Sequence, residues 1–247
     1  MNIADSLHIL WPAFVAGLLV LSTHVPLGRQ VLKRGIIFID LAVAQAAATG
    51  ALASQMLLDD AATIWQQIGA LTAALLMVIG LHALSKRHAN IQEALIGGSF
   101  ILLTSFALLL ASLDPHASEY LHHALSGQIL WVAPGQLTWL ALASVAVVFL
   151  MRFGKHELSR FYLPLAIAVT AAVQTVGVYL VFACLIFPAL TSMQLGQAKG
   201  ILRGLIAGIA GLVTGLILSL LADLPSGPTV VITLAISAAI TARSNPR

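Results

Sequence analysis

The chain has 247 residues, of which 60% are hydrophobic and only 9% charged, against about 25% charged in soluble domains. That excludes a water-soluble globular protein. The pI of 9.4 does not point to nucleic acid, because no cluster holds more than three basic residues and the positive charge is spread as in membrane topology. The single cysteine, Cys184, excludes an internal disulfide and any thiolate cluster for zinc or iron–sulfur.

The expected fold is all-α and integral to the membrane, one transmembrane domain over residues 1–247 with about nine crossings. Leu7 to Thr23 forms the first span. No Lys or Arg precedes Arg29, so this segment lacks the basic leader of a cleaved signal peptide and is expected to remain as a helix. Gly28 to Gly35 is its exit loop, and Ile36 to Leu58 returns outward. Asp59 and Asp60 mark the outer side. Ile64 to Leu84 crosses inward to Ser85–His88, and Ala94 to Leu113 crosses outward to the polar loop Asp114–His123. Ala124 to Gly135 is apolar but broken by Gly127, Pro134 and Gly135, which predicts a partial or re-entrant helix. Gln136 to Met151 then crosses inward.

Arg160 to Arg203 is the decisive stretch. Between Phe161 and Leu195 lie 35 residues with no ionisable group except Tyr162, Tyr179 and Cys184. One span takes about 20 residues, within about 17–25, so 35 is too long for one crossing and short for two. Arg152, Lys155 and Arg160 precede the run, and Lys199 and Arg203 follow it. Cytoplasmic loops are the ones enriched in Lys and Arg, so both flanks belong on one side. The pattern predicts a helix from Leu163 to about Val176, a turn near Gly177, and a return helix ending near Pro188. So short a hairpin must be packed inside other helices. Leu205 to Leu221 outward and Thr229 to Ala242 inward complete the chain, the last helix being short at about 14 residues against the usual 17–25. With the N-terminus outside and the C-terminus in the cytoplasm, all 12 Lys and Arg fall inside and six of nine acids fall outside.

Asp40 is the one carboxyl group within a span. Such a residue usually faces a cavity and marks a substrate path; the competing reading pairs it with Arg34, six residues earlier. Gln45 and Gln174 are expected to hydrogen-bond neighbouring helices. In the outer loop, Asp114, His116, Glu119, His122 and His123 cluster, and His122 and His123 share a helical face with Glu119. Imidazole with carboxylate suits zinc, and a solvated or protein-docking loop is the alternative. His8, His24, His82, His88 and His156 read as residues at span ends. Gly204, Gly208 and Gly211, Gly215 stand at four-residue spacing, which lets helices approach closely in lipid; intrachain packing is favoured over a homodimer seam. Lys155 to Phe161 is a short amphipathic piece that can lie on the membrane or dock a partner. No GxxxxGK[ST], GxSxG or HExxH occurs, which leaves ATP binding in the P-loop manner and those hydrolase chemistries unsupported.

Four segments, Lys33–Ala53, Ala124–Val132, Thr175–Ser192 and Asp223–Val231, together resemble the permease subunit of bacterial ABC importers for zinc, manganese or iron, the ABC-3 family. The resemblance covers nearly the whole chain. It implies a non-enzymatic transport subunit of the bacterial inner membrane, a homodimer, with ATP bound and hydrolysed on two cytosolic ATPase subunits. A periplasmic or lipoprotein metal-binding protein would deliver the cargo. No cofactor is expected to bind tightly; the transported ion is a divalent metal, zinc first and then manganese or iron. The ATPase contact falls near Lys155, His156, Glu157 and Arg160, where the family's acidic-x-x-Ala pattern is barely present. In the second helix many members carry Asp-x-x-x-His. Here Leu41 and Gln45 occupy those positions and Asp40 is one residue early, about 140° from Gln45 around the helix. The implied transient metal contacts are Asp40 in the path and His116, Glu119, His122 and His123 in the outer loop. A stand-alone secondary carrier or channel is the alternative, although such carriers show broken helices and intramembrane charges for coupling ions, and here only Asp40 offers one.

Overall fold

The computed structural model describes residues 3–58, 63–87, 89–113 and 129–243. Among them there are nine α-helices and no strand. They are α1 (Ile3–Arg34), α2 (Ile39–Leu57), α3 (Thr63–Ser85), α4 (Gln92–Leu113), α5 (Pro134–Phe153), α6 (Leu163–Val176), α7 (Val178–Leu190), α8 (Gln197–Ala222) and α9 (Ser226–Arg243). Seven stretches are long and apolar enough to cross a membrane. The two helices outside that group are α2, which carries Asp40, Gln45 and Gln55, and α7, which has 13 residues.

The hairpin forms as the sequence predicts. Val176 ends α6, Gly177 turns the chain at φ 84°, and α7 starts at Val178. That φ lies where a Cβ is disfavoured, so glycine is the residue that fits. α6 with the π-helical turn before it (Leu158–Tyr162) is 72% buried, while α3, α4 and α5 are only 17–22% buried. The hairpin is therefore the core and those three helices present their apolar faces outward. On the α6 side stand α2, α3 and α5, with α4 behind α2; on the α7 side stand α8 and α9; α1 touches both halves.

Several boundaries differ from expectation, each for a physical reason. α1 does not stop at Thr23. It continues through the basic segment because Arg29 is buried at 4% exposure and donates hydrogen bonds to the carbonyl oxygens of Ser192 and, at 3.0 Å, Leu195. Those carbonyls belong to the turn after α7 and would otherwise be orphans of the helix end. α1 closes on Gly35 (φ 68°), whose N–H bonds Leu32 O while the Ile36 N–H bonds Val31 O. This is the Schellman arrangement, with Ile36 and Val31 both buried as its apolar contact. Pro134 and Gly135 do not break a helix but begin α5, where proline's missing N–H costs nothing. Of the segment expected as a re-entrant helix, Ile129–Trp131 forms one 3₁₀ turn, and residues 114–128 lie outside the described residues. α8 begins at Gln197, eight residues early, and carries Lys199 and Arg203 in its first two turns. α9 has 18 residues rather than about 14.

The glycine run serves intrachain packing on two faces. A Cβ at Gly204 or Gly208 would meet Val25 or Leu21 of α1 and Pro188 of α7, and one at Gly211 or Gly215 would meet the backbone of Leu234 or Val230 on α9. Hydroxyl bonds reinforce the close pair: Thr233 donates to Gly211 O at 2.8 Å and Ser237 to Ala207 O at 2.7 Å.

Candidate functional site

Asp40 lies in the first turn of α2 and is 1% exposed. One of its carboxyl oxygens, Oδ1, is buried with no hydrogen-bond partner. The pairing with Arg34 is absent. Arg34 points away, its Nε 3.4 Å from Glu157 Oε1 and its guanidinium 4.1 Å from the centre of the Phe161 ring. Burying a carboxyl group with one oxygen unpaired is costly, and the backbone N–H groups of Asp40 and Leu41 at the α2 N-terminus offset part of that. The same helix start draws a second acid, for the Phe38 N–H donates to Glu93 Oε1 at 3.2 Å and Glu93 Oε2 is buried without a partner. Glu93 escaped the sequence reading because it stands just outside the apolar run of α4; only its return to the start of α2 makes it notable.

Apart from Arg29, the other polar side chains of the interior are amides, hydroxyls and an imidazole. Gln45 is buried on α2 at 4% exposure. Gln174 does not reach a neighbouring helix, since its Nε2 is buried and unpartnered. His24 is no span-end residue: with α1 continuing past it, the ring is fully buried, Nδ1 2.9 Å from Val20 O and 3.0 Å from Thr23 Oγ1, and Nε2 has no partner. Among the described residues no three His, Cys, Asp or Glu side chains come together to hold a metal ion. His116, Glu119, His122 and His123 lie outside the described residues, as do Asp59, Asp60, Asp114 and His88.

At one end of the bundle the segment between α5 and α6 binds several helices together. Tyr162, 2% exposed, donates to Ser85 Oγ at 3.5 Å, accepts from Gln92 Nε2 at 3.4 Å, and packs on His82 with ring centres 4.7 Å apart. With Arg34 on Glu157 and Phe161, this ties the ends of α1, α3 and α4 to the short segment. Lys155, His156, Glu157 and Arg160 of that segment are exposed. The other flank of the hairpin is at the same end, because Gly200 abuts the Arg29 guanidinium and Arg203 donates to Thr241 O. The π-helical turn carries Phe161 and Tyr162, and such turns occur frequently at functional sites.

Among the described residues, seven helices able to cross a membrane, one of them the first arm of the buried hairpin, define a multi-pass membrane protein. The chain belongs to the ABC 3 transport family, whose profile matches residues 6–164 and 158–243, and is thereby a transport protein rather than an enzyme. Comparison with curated protein sequences gives no match. Among solved structures, PsaBC from Streptococcus pneumoniae in complex with Fab is similar at 21% identity and a TM-score of 0.77, over 97% of this chain and 95% of that one. An inward-facing structure of a metal-chelate type ABC transporter is similar at 15% identity and a TM-score of 0.66, over 97% and 87%. At these identities the likeness is one of fold.

Proposed function

We propose that residues 1–247 act as one domain, the membrane-spanning permease of an ATP-driven importer of a divalent metal. Zinc leads as cargo and manganese or iron follows. The observation that carries this reading is Asp40, a buried carboxyl group with an orphaned oxygen, inside a fold shared with PsaBC and with a metal-chelate type transporter. An intramembrane acid that no cationic side chain pairs is by default a path residue. The ion passes by alternating access between two permease copies, from a periplasmic or lipoprotein metal-binding protein to the cytoplasm. His116, Glu119, His122 and His123 receive it on the outer side, and Asp40 lies on its way in. Two cytosolic ATPase subunits bind ATP and dock near Lys155, His156, Glu157 and Arg160, and the contacts of Arg34, Phe161 and Tyr162 carry their movement to α1, α3 and α4. The chain crosses the inner membrane nine times, N-terminus outside and C-terminus inside. Moderate affinity along the path suits conduction, since a tight site would trap the ion.

Reconstitution tests this reading. With its ATPase and ATP, the chain in liposomes is expected to accumulate zinc, and with the ATPase omitted, uptake is expected to fall to the level of empty vesicles. Uptake down a zinc gradient by the chain alone would instead establish a secondary carrier or channel.

A further inference from the structure

A groove of about 230 Å³ runs between α3, α5 and α6. Its lining is graded. Near the start of α3 it carries Gln67 and a turn further on Leu71; near the start of α5, Trp139 and then Ala143; towards the end of α6, Gln174 and Thr170, with Ile167 a turn deeper. All three helices thus place their polar or aromatic residue at the same end and their aliphatic ones inward. Two of the polar groups lack partners: Gln174 Nε2 and Thr170 Oγ1 are both buried and make no hydrogen bond, and Thr170 is only 5% exposed. The mouth opens beside Trp139 and Leu142, which are 40% and 65% exposed and continue into the apolar belt of Val145 and Phe149.

These features select an occupant. The volume is below the roughly 300–1,000 Å³ of sites for drug-sized ligands, and the aliphatic depth offers water too few partners. A single hydrocarbon chain fits the depth. The Gly177 end of α6 lies 19 residues from Leu158, about 28 Å along a helix, which nearly spans the roughly 30 Å hydrocarbon layer. Gln174 and Trp139 therefore stand near the boundary between acyl chains and headgroups, where tryptophan concentrates. At that depth a glycerophospholipid presents ester carbonyls, which only accept hydrogen bonds, and the groove wall holds a buried amide N–H and a buried hydroxyl that have no partner.

We propose that this groove is a lipid site, in which one acyl chain of a glycerophospholipid lies between α3, α5 and α6 and its ester carbonyl accepts hydrogen bonds from Gln174 and Thr170. The site rests on the chain being embedded in a membrane and is independent of the ion transported.

The test uses the full chain in detergent micelles, titrated with phosphatidylethanolamine carrying a diazirine midway along one acyl chain. After illumination, labelling around Ile167 and Leu71 is expected to saturate at one lipid per chain, while labelling at exposed Leu109 rises in proportion to added lipid. Ala143→Leu, which fills the groove, should abolish the saturable component. Gln174→Leu, which leaves the space but removes the donor, should raise the half-saturation concentration about fivefold, so the proposal remains testable even if Ala143→Leu does not fold. Proportional labelling at Ile167, unchanged by Gln174→Leu, would mean bulk lipid contact only and overturn the site. Cross-links from these residues to a second copy of the chain would also overturn it, by showing protein in the groove.

Discussion

Gly28→Ala is expected to cost about 1–3 kcal/mol or more of stability, because the added methyl meets backbone rather than a movable side chain. A Cβ at Gly28 would clash with the carbonyl oxygen of Leu185 and sit 3.1 Å from the Cβ of Ala189. Both belong to α7, the buried return arm of the hairpin. Small residues at helix contacts in lipid allow this close approach, and neither rigid helix has a rotamer that relieves the clash. Gly98 provides the control. It sits on an exposed face of α4 with nothing within 4 Å of an added Cβ, so Gly98→Ala should be neutral or stabilising by up to about 1 kcal/mol through helix propensity. Thermal unfolding of both variants in detergent checks the pair. A Gly28→Ala protein as stable as Gly98→Ala would mean that α1 and α7 are not in such contact.

Asp40→Asn should lower metal uptake by about tenfold or more, equivalent to about 1.4 kcal/mol on the rate-limiting barrier, while assembly with the ATPase stays normal. The substitution keeps the shape of a side chain that is 1% exposed and removes its ability to carry negative charge. If Asp40 were structural, its loss would unfold or destabilise the chain. Its Oδ1 makes no hydrogen bond, however, and a neutral isostere at such a site relieves a burial cost. The expected signature is therefore a split: unfolding temperature unchanged or higher, transport lost. Unchanged uptake would remove Asp40 from the path.

The hairpin was legible because three independent signals agree on it: the length of the uncharged run, the basic flanks, and a glycine placed where the chain must reverse. The structure puts α6 at Leu163–Val176 and turns at Gly177, and α7 ends at Leu190 rather than near Pro188. Arg29 was not legible. A basic residue after an apolar run reads as the exit into water, and only the tertiary fold brings the carbonyls of Ser192 and Leu195, more than 160 residues away in sequence, to hold it in the interior. Arg34 and Asp40 mislead in the opposite way. Six residues apart, they invite pairing, yet the Schellman turn at Gly35 separates the two helices and Glu157, 123 residues away, takes the arginine. Glu93, Thr170 and Gln174 are similarly unremarkable in sequence, because what distinguishes them is one buried atom each, Oε2, Oγ1 and Nε2, left without a partner after folding.

The topology rests on the hairpin returning to the side it left, and cysteine labelling measures that directly. Cys184 is buried in α7, so a Cys184→Ala background accepts Lys155→Cys or Lys199→Cys as its one thiol. In right-side-out vesicles, a membrane-impermeant maleimide is expected to miss both positions from outside and to reach both once the vesicles are opened or inverted. Labelling of one position from each side would contradict the hairpin, the nine-pass topology and the permease reading together.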